Sequence, residues 1–364
     1  MKLLQQFIVE AFIPPSKRDI VNETQGRINF IDLAKGICVI MMVLVHVDEK
    51  IFNPSKFEDF ILPIFFVMSG YFFKPYKFGT FITKKINYIL IPFLFWVLLV
   101  DLWHLIHIPD VTTPSIMRFI DDPFYHFIEA NGPLWFLLSL FYVNMIFYLI
   151  TIIFQDIKFI FLASVLFGFI GFLLDSQSKI LPLWIDSAFS SLPYFFFGYA
   201  CNKKGIFEKN ISISGNIIIG ISLIVLSYLI CIPTESSLNL WSNIFGGNSI
   251  LSYLCGIGKV TGILFICKGI QWLPLVSYFG RYTMIILCTH YPLLTYIPHF
   301  YEKHFGIILE PISLAVIIMV TMCIAVMICK TYLPHVSGLK PIIKWPESRK
   351  SQKKNLTALN TELK

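Results

Sequence analysis

Long apolar runs separated by short polar stretches occupy most of the chain. A helix needs about twenty apolar residues to cross the hydrocarbon of a bilayer. Windows of that length predict ten helices, at about 30–49, 60–74, 86–106, 133–154, 158–174, 189–201, 215–232, 249–268, 277–297 and 311–331. The second and sixth are short for a bilayer, which implies little tilt, added flanking residues or partial re-entry. The expected fold class is all-α integral membrane, a bundle of about ten transmembrane helices. Residues 1–26 read as an N-terminal tail with an interfacial helix over Leu3 to Phe12. Residues 27–333 read as the transmembrane domain, and 334–364 as a basic, disordered tail.

Composition supports that class. Hydrophobic residues make up 56% of the chain and charged residues 14%, with a mean hydropathy of +0.72. A soluble domain carries about 25% charged residues. The first 26 residues do not read as a cleavable signal, because Glu10 interrupts the apolar stretch and Pro14-Pro15 follow without a small-residue cleavage site. The eight cysteines are scattered singly, with neither metal-ligand spacing nor a disulfide framework, so no metal is expected. The net charge of +7 does not point to nucleic acid. Its distribution matters more. With the N-terminus in the cytoplasm, the cytoplasmic segments hold 21 Lys or Arg residues and the outer loops five. The positive-inside rule then puts both termini in the cytoplasm. No convincing internal repeat marks an inverted-repeat transporter.

The first span departs from its own apolar pattern. Asp32 and Lys35 lie near its start, and His46, Asp48 and Glu49 near its end, with ten uncharged residues between Lys35 and His46. Eleven positions are about three helical turns, so Lys35 and His46 share a face and sit ~16 Å apart along the axis. An embedded charge costs ~2.5–3.5 kcal/mol on insertion scales, so each one needs a reason. Neutral imidazole can take a proton from a hydroxyl near neutral pH, and Asp48 or Glu49 could orient it, Glu49 being better placed at i+3. The plainer alternative is a histidine reaching the interface. Lys35 either pairs with Asp32 or faces a phosphate-bearing donor from the cytoplasm. Lys84, Lys85 and Arg281 fall on the same inner side, as ordinary anchors or as part of a phosphate cluster. On the outer side are Asp101, His290 and Trp135, the last an interfacial belt residue or a sugar-stacking one. Lys259 lies deep in the eighth span with no evident role.

Four stretches, in order, resemble the acyltransferase-3 family of membrane acyltransferases. They are Arg27, Asp32, Lys35, Gly36, Val43 and His46 in the first span; Phe65 to Phe72 (FFVMSGYF); Gly132 to Phe136 (GPLWF); and Phe279 to Thr283 (FGRYT), leading to His290-Tyr291-Pro292. The resemblance spans about 27–300. It implies about ten transmembrane helices and transfer of an acyl group, commonly acetyl, from acyl-coenzyme A to a hydroxyl of a surface glycan or its lipid-linked precursor. By match, Lys35 stands at the family's spaced basic residue and His46 at its essential histidine, while Tyr71 and Trp135 occupy motif positions. The family often has an arginine-rich entry to the third span; here Lys84 and Lys85 stand alone, without Arg's bidentate fork.

The expected function is therefore a multi-pass membrane O-acyltransferase of the cell envelope using acetyl-CoA or another acyl-CoA as donor. His46 is its general base, with Asp48 or Glu49 orienting it. Lys35, Lys84, Lys85 and Arg281 hold the donor phosphates; Trp135, Asp101, His290 and Tyr71 face the acceptor. The partners expected are a glycan or lipid-linked glycan acceptor and membrane lipids. A glycan or lipid-precursor exporter without chemistry is the competing reading, and a non-catalytic scaffold the third.

Overall fold

The computed structural model describes residues 2–15, 28–51, 57–107, 117, 131–176 and 181–344. Arg27, His126 and most of the acidic 107–132 loop lie outside the described residues, as does the chain beyond Lys344. The helices are α1 (Lys2–Phe12), α2 (Asn29–Val47), α3 (Glu58–Ile61), α4 (Pro63–Tyr71), α5 (Phe78–Lys85), α6 (Ile91–His107), α7 (Trp135–Ile153), α8 (Ile157–Ser176), α9 (Ile185–Lys203), α10 (Ile213–Thr234), α11 (Ser249–Ile270), α12 (Val276–Arg281), α13 (Thr283–Phe305) and α14 (Pro311–Tyr332). A π turn over Ile86–Leu90 joins α5 to α6. One antiparallel hairpin, β1 (Ser237–Asn239) and β2 (Ile244–Gly246), lies between α10 and α11.

Every segment expected to span is helical, but length and composition support seven crossings among the described residues. The remaining three are limited by their own residues. Pro63 lacks an N–H and breaks the second segment at Leu62, leaving nine residues in α4. α9 carries Asp186, Pro193 and Lys203. The ninth segment breaks at Tyr282, and α13 carries Pro292, Pro298 and a charged end. α2 is the central rod: 56% of its apolar window is buried, against 17% for α10.

The bundle is drawn together where glycines let backbones touch. A Cβ on Gly36 of α2 would overlap the carbonyl oxygen of Val276, and one on Gly280 of α12 would overlap that of Asp32. Gly70 of α4 and Gly198 of α9 meet Phe195 and Val67 in the same way. Gly36, Gly70 and Gly280 all fall in the stretches that carried the family resemblance, so part of that text encodes helix crossings.

Both described ends pack on the bundle. In α1, Glu10 is 3% exposed and accepts hydrogen bonds from Tyr282 Oη (2.7 Å) and Lys330 Nζ (2.8 Å). Residues 334–344, expected within a disordered tail, pack back on the π turn. Asn87 Oδ1 accepts from the backbone N–H groups of Ile342 (2.7 Å) and Ile343 (2.8 Å), and its Nδ2 donates to Ile343 O (2.8 Å). A side-chain amide matches a backbone donor and acceptor at once.

Candidate active site

α2 presents its two functional candidates to two different cavities. Lys35 borders one of about 250 Å³, together with Ser69 of α4, Lys85 of α5 and Thr283 of α13. His46 and Glu49 border another of about 470 Å³, together with Trp135, Tyr291 and the hairpin residues Asn239 and Trp241. Met42, Leu62 and Leu287 line both cavities. One turned helix therefore sets a cation at one cavity and an imidazole at the other, with three apolar side chains bordering both.

The His46 chamber is built from distant parts of the chain. The His46 ring lies 5.5 Å from that of His290 and 5.7 Å, edge-on, from that of Tyr291, centroid to centroid. His290 is fully buried, and its Nδ1 lies 2.9 Å from Ile286 O and 3.1 Å from Leu287 O. Carbonyls only accept, so Nδ1 carries the hydrogen and Nε2 keeps its lone pair. Among the described residues Nε2 has no hydrogen-bond partner. Asn131 Nδ2 donates to Cys288 O (2.8 Å), which ties the Asn131–Pro133 corner to α13 and seats Trp135 at the wall. The hairpin closes another wall and is firmly held. Asn243 Nδ2 donates to Gly171 O (3.0 Å), Ser190 Oγ donates to Asn243 Oδ1 (2.5 Å), and Phe245 N donates to Asp175 Oδ2 (3.0 Å).

The other candidates divide. Asp48 closes α2: its Oδ1 accepts from the backbone of Lys50 (2.7 Å) and Ile51 (3.0 Å), whereas Glu49 faces the His46 cavity. Lys35 makes one of its two expected contacts, the pair with Asp32 at 3.0 Å on the same helix, and also borders the smaller cavity. Lys85 joins it there, while Lys84 lies over the Tyr76 ring, 3.6 Å from its centroid. Arg281 borders a separate small cleft with Glu10 and Asp32, outside the Lys35 cavity. Asp101 is buried on α6 and is not among the residues lining either cavity. Tyr71 is buried against Phe72 and Phe207, packing α4 rather than facing a chamber. Arg281, expected to hold donor phosphate, and Asp101 and Tyr71, expected to face the acceptor, thus line neither of the two cavities along α2. Their neighbours are set by tertiary packing, which helical spacing does not encode.

The sequence model for acyltransferase domains of the acyltransferase-3 family matches residues 28–330, which takes in every wall of both chambers. The chain belongs to the acyltransferase-3 family. No curated protein and no solved structure matches it. As a membrane acyltransferase, it has features that sequence reading missed. Met42, Leu62 and Leu287 are ordinary apolar residues in apolar runs. Trp241 sits in what reads as a plain loop, and only the Asn239 to Asn243 turn residues hinted at a hairpin.

Proposed function

We propose that this acyltransferase moves an acetyl group from acetyl-CoA to a hydroxyl of a cell-surface polysaccharide or its lipid-linked precursor. It is read as sitting in the cell membrane with both termini in the cytoplasm, and the 21-to-five division of basic residues supports that orientation. The observation that carries the reading is the pairing of chambers along α2: Lys35 and Lys85 border one, and His46, Glu49 and two tryptophans border the other. Ammonium groups suit a donor rich in phosphate. Aromatic rings beside polar groups suit a sugar, whose ring presents an apolar face and whose hydroxyls seek hydrogen bonds.

In this reading the thioester reaches toward His46 from the Lys35 side, and the acceptor enters from the hairpin side. His46 removes the hydroxyl proton as that oxygen bonds to the thioester carbonyl carbon. The carbon–sulfur bond breaks, and the departing thiolate takes the proton from the imidazolium to leave as free thiol. Glu49 borders the same cavity and, in this reading, orients the ring and favours the imidazolium as it forms. His290, expected to face the acceptor, is instead fully buried behind His46 and does not line the cavity, its ring 5.5 Å from that of His46. A general base contributes about 10²–10⁴-fold. Membranes bearing His46→Ala at normal abundance should lose labelled acetyl transfer by a factor in that range. Turnover at the wild-type rate would sink the assignment.

A further inference from the structure

The partition between the chambers comes from three separate elements: Met42 of α2, Leu62 at the α3–α4 break and Leu287 of α13. Met42 is 7% exposed and Leu287 8%. None of the three carries chemistry, yet they are the residues that border both cavities, so in the donor reading an acyl group going from the Lys35 side to His46 crosses the boundary they form. We infer that this neck sets the length of acyl chain transferred, passing short groups such as acetyl and refusing longer ones. The inference rests on the donor reading given above.

The neck is held from outside. Pro63 ends the short helix α3 at Leu62. Three residues before Leu62, Asp59 forms a buried ion pair with Lys259 of α11, the two side chains being 4% and 3% exposed. Lys259 Nζ also lies 3.3 Å from Cys231 Sγ and 4.1 Å from the centroid of the Tyr228 ring. The turn that carries Leu62 is thus pinned to α11 by a contact that water does not reach. On α13, Leu287 O accepts from His290 Nδ1 (3.1 Å) and the next carbonyl, that of Cys288, accepts from Asn131 (2.8 Å). Met42 is the yielding member, since an unbranched thioether side chain repacks readily. Two pinned leucines and one soft methionine make a gauge that admits a small group without standing open.

Discrimination by one methylene in an apolar pocket is worth roughly 10–200-fold. Leu→Ala removes three carbons, more than the two methylenes that separate butyryl from acetyl. The experiment is a donor series of acetyl-, butyryl- and hexanoyl-CoA, assayed with membranes bearing wild type, Leu62→Ala, Leu62→Val, Leu287→Ala and the outward-facing control Leu98→Ala, which is 44% exposed. Wild type should use acetyl-CoA and refuse hexanoyl-CoA. Leu62→Ala and Leu287→Ala should raise the butyryl-to-acetyl rate ratio about tenfold or more. Leu62→Val, one carbon smaller and safe for folding, should raise it less, and Leu98→Ala should leave it unchanged. Acetyl transfer with an unmoved ratio in the folded Leu62 and Leu287 variants overturns the neck and leaves the donor reading standing. A wild type that uses no acyl-CoA of any length overturns the donor reading and the neck with it.

Discussion

Lys35 with Asp32 and Lys259 with Asp59 are two lysine–aspartate pairs among the described residues, and they behave as different kinds of object. Lys35 and Asp32 pair at 3.0 Å along one helix, with side chains 22% and 16% exposed, at the edge of a cavity. Lys259 and Asp59 pair across the bundle from positions 200 residues apart, almost fully sealed. In sequence the two lysines look alike, each a lone cation in an apolar run. Their surroundings separate them. A charge beside a chamber can exchange its partner for a ligand's phosphate. A charge sealed against aspartate, thiol and ring can only hold its neighbours in place. Insertion cost alone therefore does not mark an embedded charge as part of the chemistry; reach to a cavity does.

Removing the sealed cation is the strongest way to break that contrast. Lys259→Met leaves Asp59 buried without its countercharge, and Asp59 Oδ1 already has no hydrogen-bond partner among the described residues. Losing one member of a buried pair costs about 3–5 kcal/mol, because the other charge stays uncompensated. The variant should unfold in detergent at a markedly lower temperature than wild type. Replacing both residues, Lys259→Met with Asp59→Leu, should recover much of the loss. An unchanged melting temperature for the single variant would place Lys259 with the exposed pair.

Lys35→Met tests the other side, with a smaller effect of a different kind. A partly exposed pair contributes about 0–1 kcal/mol, so the melting temperature should barely move. If Lys35 binds donor phosphate, a charge-assisted bond worth about 1.5–3 kcal/mol is lost. The KM for acyl-CoA should then rise about tenfold or more while kcat changes little. A fall in melting temperature as large as that of Lys259→Met, with KM unmoved, would make Lys35 a second structural pin.

The sequence made the helices legible and the partnerships only partly so. Hydropathy located every long helix, because lipid demands about twenty apolar residues wherever a helix crosses. Of the ten expected crossings, seven are helices long and apolar enough by themselves among the described residues; Pro63 and the break at Tyr282 divide two of the other runs, which remain apolar. The Lys35–His46 spacing placed both residues correctly on one face, since three turns of a helix are fixed by geometry. Helical spacing favoured Glu49 over Asp48, but α2 ends at Val47, so the helix no longer sets either position and Asp48 becomes the loop's hydrogen-bond acceptor. Arg281 and Asp101 could not be placed from their own helices, because what they face lies on helices far away in sequence. The neck was invisible for a plainer reason: Met42, Leu62 and Leu287 matter by shape, and a sequence of apolar residues carries no record of which of them meet.

A third acid–lysine pair, Glu10 with Lys330, lies between the two extremes and gives the mildest test. Its side chains are 3% and 7% exposed, as sealed as the Lys259 pair, but Glu10 belongs to the peripheral helix α1. Burial pushes the Glu10 carboxyl up, yet the bonds from Lys330, Tyr282 and Gln6 outweigh it and hold the group below the ordinary glutamate range. A carboxyl depressed on folding contributes stability above its unfolded value and loses it as pH falls through the folded value. Docking of α1 should therefore be full at neutral pH and weaken in the acid range beginning at the ordinary glutamate value. Because only α1 is released, hydrogen exchange of residues 2–12 should quicken there while α2 stays protected. Glu10→Gln keeps an acceptor but loses the charge, so its α1 should exchange faster at neutral pH and respond little to acid. Equal acid sensitivity in wild type and Glu10→Gln would mean that Ala11 O, which accepts from Leu275 N at 2.9 Å, and the packing around Phe7 hold α1 without the ion pair.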